Sequence, residues 1–313
     1  MNHLHHFYPF PLRPQLLAVA TLAALTTTAL IPIAAQAQEV TPAASASVTD
    51  EAAQTSTFDI KIRAPDTVRE LLENHLELQR YRAITDLDEV ELGRLVVLAE
   101  RNVRNLVGTL GYFSPQINIT REGGLHERLT IAISVMPGPI THIGSVGVNF
   151  SGDIANTTDT DAITQRTDIQ RDWLLSTGQD FTQNAWDSAK TQALRQLVAR
   201  RYPAGKLAGS LADIDAPSSI AKLHLHFDSG PLYRLGPLKV TGVERYDPVL
   251  VPRLARLKLG VAYDQNELMQ AQQRLAASGY FNSANVSINP EDDPQAVPVQ
   301  IQVREAKLQK VIL

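Results

Sequence analysis

The sequence predicts an α+β protein made of three tandem β-α-α-β-β modules, each a three-stranded mixed sheet with two helices on one face. Three observations lead there. A Gly-Tyr-Phe turn between a helical and a strand-like pattern occurs at Gly111-Tyr112-Phe113 and again at Gly279-Tyr280-Phe281. A degraded copy, Arg201-Tyr202-Pro203, stands between them. Each turn is followed by a second alternating strand, and two of these end in Pro137-Gly138-Pro139 and Ser229-Gly230-Pro231 before the pattern restarts.

The N-terminus stands apart from this repeat. Arg13 precedes an apolar run from Leu16 to Ile33, followed by Ala35-Gln36-Ala37. That layout predicts a secretory signal peptide over residues 1–37, cleaved after Ala37. An uncleaved anchor is the alternative, because the run is near spanning length; its threonines, Pro32 and the Ala-x-Ala favour the signal. Residues 38–57 are rich in Ala, Ser, Thr, Pro and Glu and can bury no face, which predicts a disordered linker.

The first module is expected over 58–138. Thr67 and Glu70 have the spacing of a capping box ahead of Leu71 and Leu72. Leu92, Leu95, Val96, Ala99, Val103, Leu106 and Leu110 form one helical stripe, with Glu91, Arg94, Arg101 and Arg104 on the wet side. Gly111 sits just past it, where the chain turns left-handed at a cost of about 1–2 kcal/mol for any other residue. Ile117 and Ile119 then alternate with Asn118 and Thr120, and Leu129, Ile131, Ile133 and Val135 supply the last strand.

The second module, 139–230, opens with "ITHIGSVGVNFSG" from Ile140. Asp168 ahead of Trp173 and Leu174 marks its first helix. Gly178 leads to Phe181-Thr182, an aromatic before a capping residue, and the second helix runs from about Asn184 to Val198 with Trp186, Ala189, Ala193 and Leu197 inward. Leu223, Leu225 and Phe227 form the last strand. The third module, 231–306, opens with "LYRLGPLKVTG" from Leu232. Asp247 caps a helix beginning at Pro248, and Gly260 leads to Tyr263-Asp264. Asp264 and Glu267 cap a helix with Leu268, Ala271 and Leu275 inward. Val286 and Ile288, then Val297, Val299, Ile301 and Val303, complete it. Polar alternate residues (Asn118, His224, His226, Ser287, Gln300) predict that the other sheet face is open.

The formal net charge of -4 argues against a nucleic-acid partner. With no cysteine, a disulfide framework, a thiolate zinc site and a cysteine nucleophile are excluded. No serine–histidine–acid arrangement and no paired carboxylates on a helix face are recognisable, so no enzyme, catalytic residue, cofactor or metal is expected. His224 and His226 share a strand face and could ligate a metal, but no third ligand is near, and a solvated face is the simpler reading. Asp159-Thr160-Asp161 and Glu291-Asp292-Asp293 lack the glycine spacing of a calcium loop and read as turns. Gly144-Ser145-Val146-Gly147 lies in a strand-like run without the lysine of a phosphate loop. His3, His5 and His6 fall in the signal region. Trp173, Trp186, Tyr112 and Tyr280 are expected in cores.

The β-α-α-β-β order, the Gly-Tyr-Phe turn and the "YRLGPLKVTG" strand after Gly-Pro resemble POTRA domains, the periplasmic polypeptide-transport modules of the Omp85 outer-membrane family. The likeness covers about Phe58 to Ala306. It implies a periplasmic scaffold, associated with the outer membrane, for assembling outer-membrane proteins such as autotransporters. Clients would be unfolded outer-membrane proteins, bound by strand addition to an open sheet edge. By resemblance the edges are Gln116-Ile117-Asn118-Ile119, Lys206-Leu207 continuing to Leu211, and Asn285-Val286-Ser287-Ile288. The first module would face an inner-membrane TamB-like partner. Family members continue into a membrane β-barrel, for which residues 307–313, "KLQKVIL", give only a start or a tail; a truncated product or a barrel-less relative is expected. The alternatives are the POTRA region of a two-partner secretion transporter, and a periplasmic ligand or cell-wall binder.

Overall fold

The computed structural model describes residues 58–84, 88–123 and 129–307, all within one compact unit spanning 53–313. The signal segment with Ala37, the linker 38–57 and residues 308–313 lie outside the described residues.

Among the described residues, nine strands form three separate three-stranded sheets. The first holds β1 (Asp59–Arg63), β2 (Gln116–Glu122) and β3 (Thr130–Met136). The second holds β4 (His142–Ser151), β5 (Lys206–Asp215) and β6 (Ile220–Asp228). The third holds β7 (Leu235–Thr241), β8 (Phe281–Ser287) and β9 (Val297–Glu305). In each sheet the last strand in sequence is central, parallel to the first and antiparallel to the second. The reason lies in its composition. β6 alternates buried Ala221, Leu223, Leu225 and Phe227 with exposed Lys222, His224 and His226, so one face closes a core and the other stays wet.

Two helices cover each sheet: α1 (Asp66–His75) and α2 (Glu89–Thr109), α3 (Thr160–Arg171) and α4 (Gln183–Val198), α5 (Leu250–Ala255) and α6 (Gln265–Ala276). The architecture is thus α+β, with three mixed sheets and helices packed alongside. Asp88, Thr182 and Asp264 cap α2, α4 and α6 through side-chain oxygens that accept N-terminal backbone N–H groups.

The shorter helices differ from the sequence reading. α1 begins at Asp66 with Pro65 ahead of it, so Thr67 lies inside the first turn and makes no cap. α3 begins at Thr160, capped by Asp159, and Asp168 sits in its last turn, paired with Arg171 at 2.8 Å. The buried positions of α3 are Ala162, Gln165 and Ile169, too weakly apolar a stripe for periodicity to reveal. Gln165 holds its place through hydrogen bonds: its Nε2 donates to the carbonyls of Gln196, Leu197 and Arg200, closing the end of α4. α5 begins at Leu250, and Asp247 instead accepts the Val249 N–H just before it. A 3-10 helix over Glu77–Ala83 has no counterpart in the repeat.

Candidate peptide-binding edges and the junctions between repeats

β2, β5 and β8 each border their sheet on one side, as β1, β4 and β7 do on the other. Gln116, Ile117, Asn118 and Ile119 lie in β2, with Ile117 and Ile119 half-buried and their neighbours exposed. Lys206 and Leu207 open β5, which is bulged between Leu207 and Gly209. Asn285, Val286 and Ser287 lie in β8; Ile288 falls one residue beyond it.

The three edges are not equivalent. The Val286 N–H donates to Gln272 Oε1 of α6 at 3.1 Å, so part of the β8 border is already occupied. Among the described residues no side chain bonds to the backbone of β2, and on β5 only the last carbonyl, that of Asp215, accepts one, from Ser218 Oγ at 3.5 Å. An extended chain would find free donors and acceptors on those two strands.

The turns that follow the second helices join one repeat to the next. Gly111 has φ +94°, and its carbonyl accepts the Thr141 N–H at 2.9 Å. A Cβ there would lie 2.1 Å from the Phe181 carbonyl oxygen, so glycine is required by contact as well as by conformation. Phe113 reaches across to Phe181, with ring centroids 5.9 Å apart. The next junction repeats this plan around Arg201, whose N–H donates to the Tyr263 carbonyl and whose carbonyl accepts the Tyr233 N–H. Arg201 also has a left-handed backbone, φ 65°. Its guanidinium is clamped by Asp159 at 2.8 Å and Asp161 at 2.7 Å.

The third turn differs. Gly279 has φ +77° with open space around it. Tyr280 is 41% exposed rather than packed under the helices, stacked edge-on against Tyr246 at 5.2 Å, while Phe281 is buried. Beside it, Glu305 ends β9 with its side chain only 7% exposed. Burial alone would raise this carboxyl. The Arg245 N–H and guanidinium and the N–H groups of Glu244 and Tyr246 outweigh that and hold it at about 2. The alternating sequence carried no signal for this clasp, since its partners come from a loop some sixty positions upstream.

The remaining candidates resolve into structure. Asp159 is a helix cap, and it and Asp161 bind Arg201. Asp293 accepts the Gln295 N–H at the start of a short 3-10 turn. His224 and His226 are exposed on the open face, with His226 Nε2 3.0 Å from Ser151 Oγ. Gly144 to Gly147 lie within β4. Among the described residues no cluster of His, Asp or Glu could hold a metal ion. Trp186 is buried, and the half-buried Trp173 meets it edge-on.

The third sheet and its helices thus form a small open-edged α+β domain, and sequence comparison places it. Residues 233–306 match the POTRA family model, described as a surface antigen variable number repeat. Three solved structures are also similar to this chain. BamA POTRA3-5 of Haemophilus influenzae is 15% identical, covering 80% of this chain and 96% of that one, with a TM-score of 0.42. POTRA1-3 of Omp85 from Anabaena is 15% identical, covering 80% and 95%, with a TM-score of 0.30. CdiB from Escherichia coli is 14% identical, covering 70% of this chain and 35% of that one, with a TM-score of 0.28.

Proposed function

We propose that this chain is the periplasmic polypeptide-binding scaffold of an Omp85-type outer-membrane protein assembly factor, similar in plan to the translocation and assembly module subunit TamA. Its POTRA units span 58–138, 139–230 and 231–306, behind a signal peptide cleaved after Ala37. It works by binding, not catalysis. Unfolded outer-membrane clients, and a TamB-like inner-membrane partner at the first unit, add as strands to exposed edges, and membrane attachment comes through a β-barrel outside these residues. One observation carries this reading: apart from the Asp215 carbonyl at the end of β5, the backbone of β2 and β5 is open along one side, whereas β8 is partly closed by Gln272.

The test uses an extended peptide copied from an outer-membrane β-strand, with a photoreactive residue in the protein at Asn118, at Leu211, or at Gln273 on α6 as control. Cross-linking at the first two positions above the control is expected. In an edge strand successive N–H groups point alternately inward and outward. Of Ile117→Pro and Asn118→Pro, one therefore removes an outward donor and abolishes capture at β2 while keeping the fold. Equal cross-linking at all three positions, or capture at β2 surviving both variants, would sink strand addition.

A further inference from the structure

The three repeats provide an internal comparison for their second helices. Measured from the buried stripe of each, the opposite face of α4 carries Asn184, Ser188, Thr191 and Arg195, and that of α6 carries Asn266, Gln270 and Gln273. Those faces are hydrated, with a single exposed apolar side chain, Met269, at the margin of the α6 face. The same face of α2 carries Val90, Arg94, Val97, Leu98 and Arg101, within about 100° of arc. The aliphatics there are 66%, 71% and 54% exposed. Arg94 and Arg101 make no ion pair with any described residue, although neighbouring Arg104 pairs with Glu100 at 3.1 Å. A helix of this fold thus has one apolar stripe inward, at Leu92, Ala99, Val103 and Val107, and a second outward. The repeat shows that the fold does not need the second.

We propose that the outward face of α2 docks an acidic amphipathic helix of another protein, its aliphatics set on Val90, Val97 and Leu98 and its carboxylates on Arg94 and Arg101. The stripe is about 16 Å long, or three helical turns. Burying three aliphatics between two ion pairs gives both attraction and register. A second copy of the chain fits poorly, since it would oppose arginines to arginines. An anionic bilayer fits poorly too: Asp88, Glu89 and Glu91 crowd the end of the stripe that holds Val90, and no aromatic anchor is present. This site is independent of strand addition, because it uses side chains on a helix and not a sheet edge.

The experiment titrates the full chain with two fifteen-residue helical peptides, each with leucine on one face and either glutamate or lysine at the positions facing the arginines. The glutamate peptide should bind about tenfold more tightly or better than the lysine peptide. Arg94→Glu with Arg101→Glu should reverse that order. Val97→Ser with Leu98→Ser should weaken the glutamate peptide about tenfold. All these side chains are exposed, so circular dichroism and tryptophan fluorescence should be unchanged. Failure of the glutamate peptide to bind, equal binding of both peptides, or binding indifferent to Val97 and Leu98 overturns the proposal. So does binding to phosphatidylglycerol vesicles, or self-association in sedimentation, that Val97→Ser with Leu98→Ser removes.

Discussion

Arg201 holds a left-handed backbone where Gly111 and Gly279 stand in the other repeats, and the cost of that arrangement is measurable. The conformation costs a non-glycine residue about 1–2 kcal/mol. Its side chain is 14% exposed and its guanidinium reaches Asp159 and Asp161, whose side chains are 43% and 81% exposed. With the acids so open to water, the pairs together contribute about 1 kcal/mol. Arg201→Ala keeps the strain and loses the clamp and the packed stem, and should destabilise by about 1–2 kcal/mol. Arg201→Gly loses the clamp but relieves the strain. Glycine's extra freedom when unfolded takes back about 0.5–1 kcal/mol. The glycine variant should therefore be about 0.5–1 kcal/mol more stable than the alanine variant. Both tryptophans, Trp173 and Trp186, lie between β4 and β5, so their fluorescence in urea reports on the region that Arg201 clamps. Asp159 supplies a pH check. Burial alone would raise its carboxyl, but the N–H groups of Asp161 and Ala162 and the Arg201 guanidinium hold it below the usual value. A depressed carboxyl contributes stability above its unfolded pKa and loses it as pH falls through the folded one. The gap between wild type and Arg201→Ala should thus narrow in acid to the part due to the packed stem, and narrow in 1 M salt, where about 3 Å of screening length remains. An alanine variant as stable as the glycine variant would refute the strain argument, and a gap indifferent to salt and acid would refute the clamp.

Gly279→Ala should cost about 0.5–1 kcal/mol, the left-handed strain less glycine's greater freedom when unfolded, because its surroundings are open and add no clash. Gly111→Ala should cost more and accelerate hydrogen exchange at Thr141, since the new Cβ collides with the Phe181 carbonyl; calorimetry of the two variants compares them. Glu305→Gln should destabilise the third domain near neutral pH. The wild-type advantage should persist above pH 4.5 and vanish as pH falls through about 2, the direction required of a depressed carboxyl. Gln272→Ala frees the Val286 N–H and should raise capture of an extended peptide at β8, read by cross-linking from Asn285.

The α+β architecture was legible because its determinants are local. Alternation in β6 and β9, and the inward stripes of α2, α4 and α6, depend on residues a few positions apart. What escaped depends on partners distant in sequence. α3 hides behind a buried Gln165, acceptable only because the end of α4 supplies three carbonyls. Its start is visible in principle, since Asp159-Thr160-Asp161 is a sound capping sequence, but the same short polar residues also suit a solvated turn. Tyr280 is exposed because Phe281, not Tyr280, turns into the core at the start of β8. At the candidate site, alternation could place strands near Gln116, Lys206 and Asn285. It could not tell an open border from one closed by Gln272, which lies fourteen positions from Val286 on a different element.

That difference between borders bears on how a scaffold of this kind would sort its contacts. The Gly111 carbonyl accepts a backbone hydrogen bond from the following repeat, reinforced by the Phe113–Phe181 ring contact, and Arg201 both donates to and accepts from the backbone of the repeat after it. β2 and β5 are therefore carried in a set relation across the Gly111 junction. A client long enough to engage both gains from the second edge as an intramolecular event, provided its linker spans them. The β8 border would have to displace Gln272 first. If capture rests on both open edges, disabling β2 alone should weaken a two-strand peptide far more than a one-strand peptide bound at β5. Equal loss for the two would mean that the edges act separately.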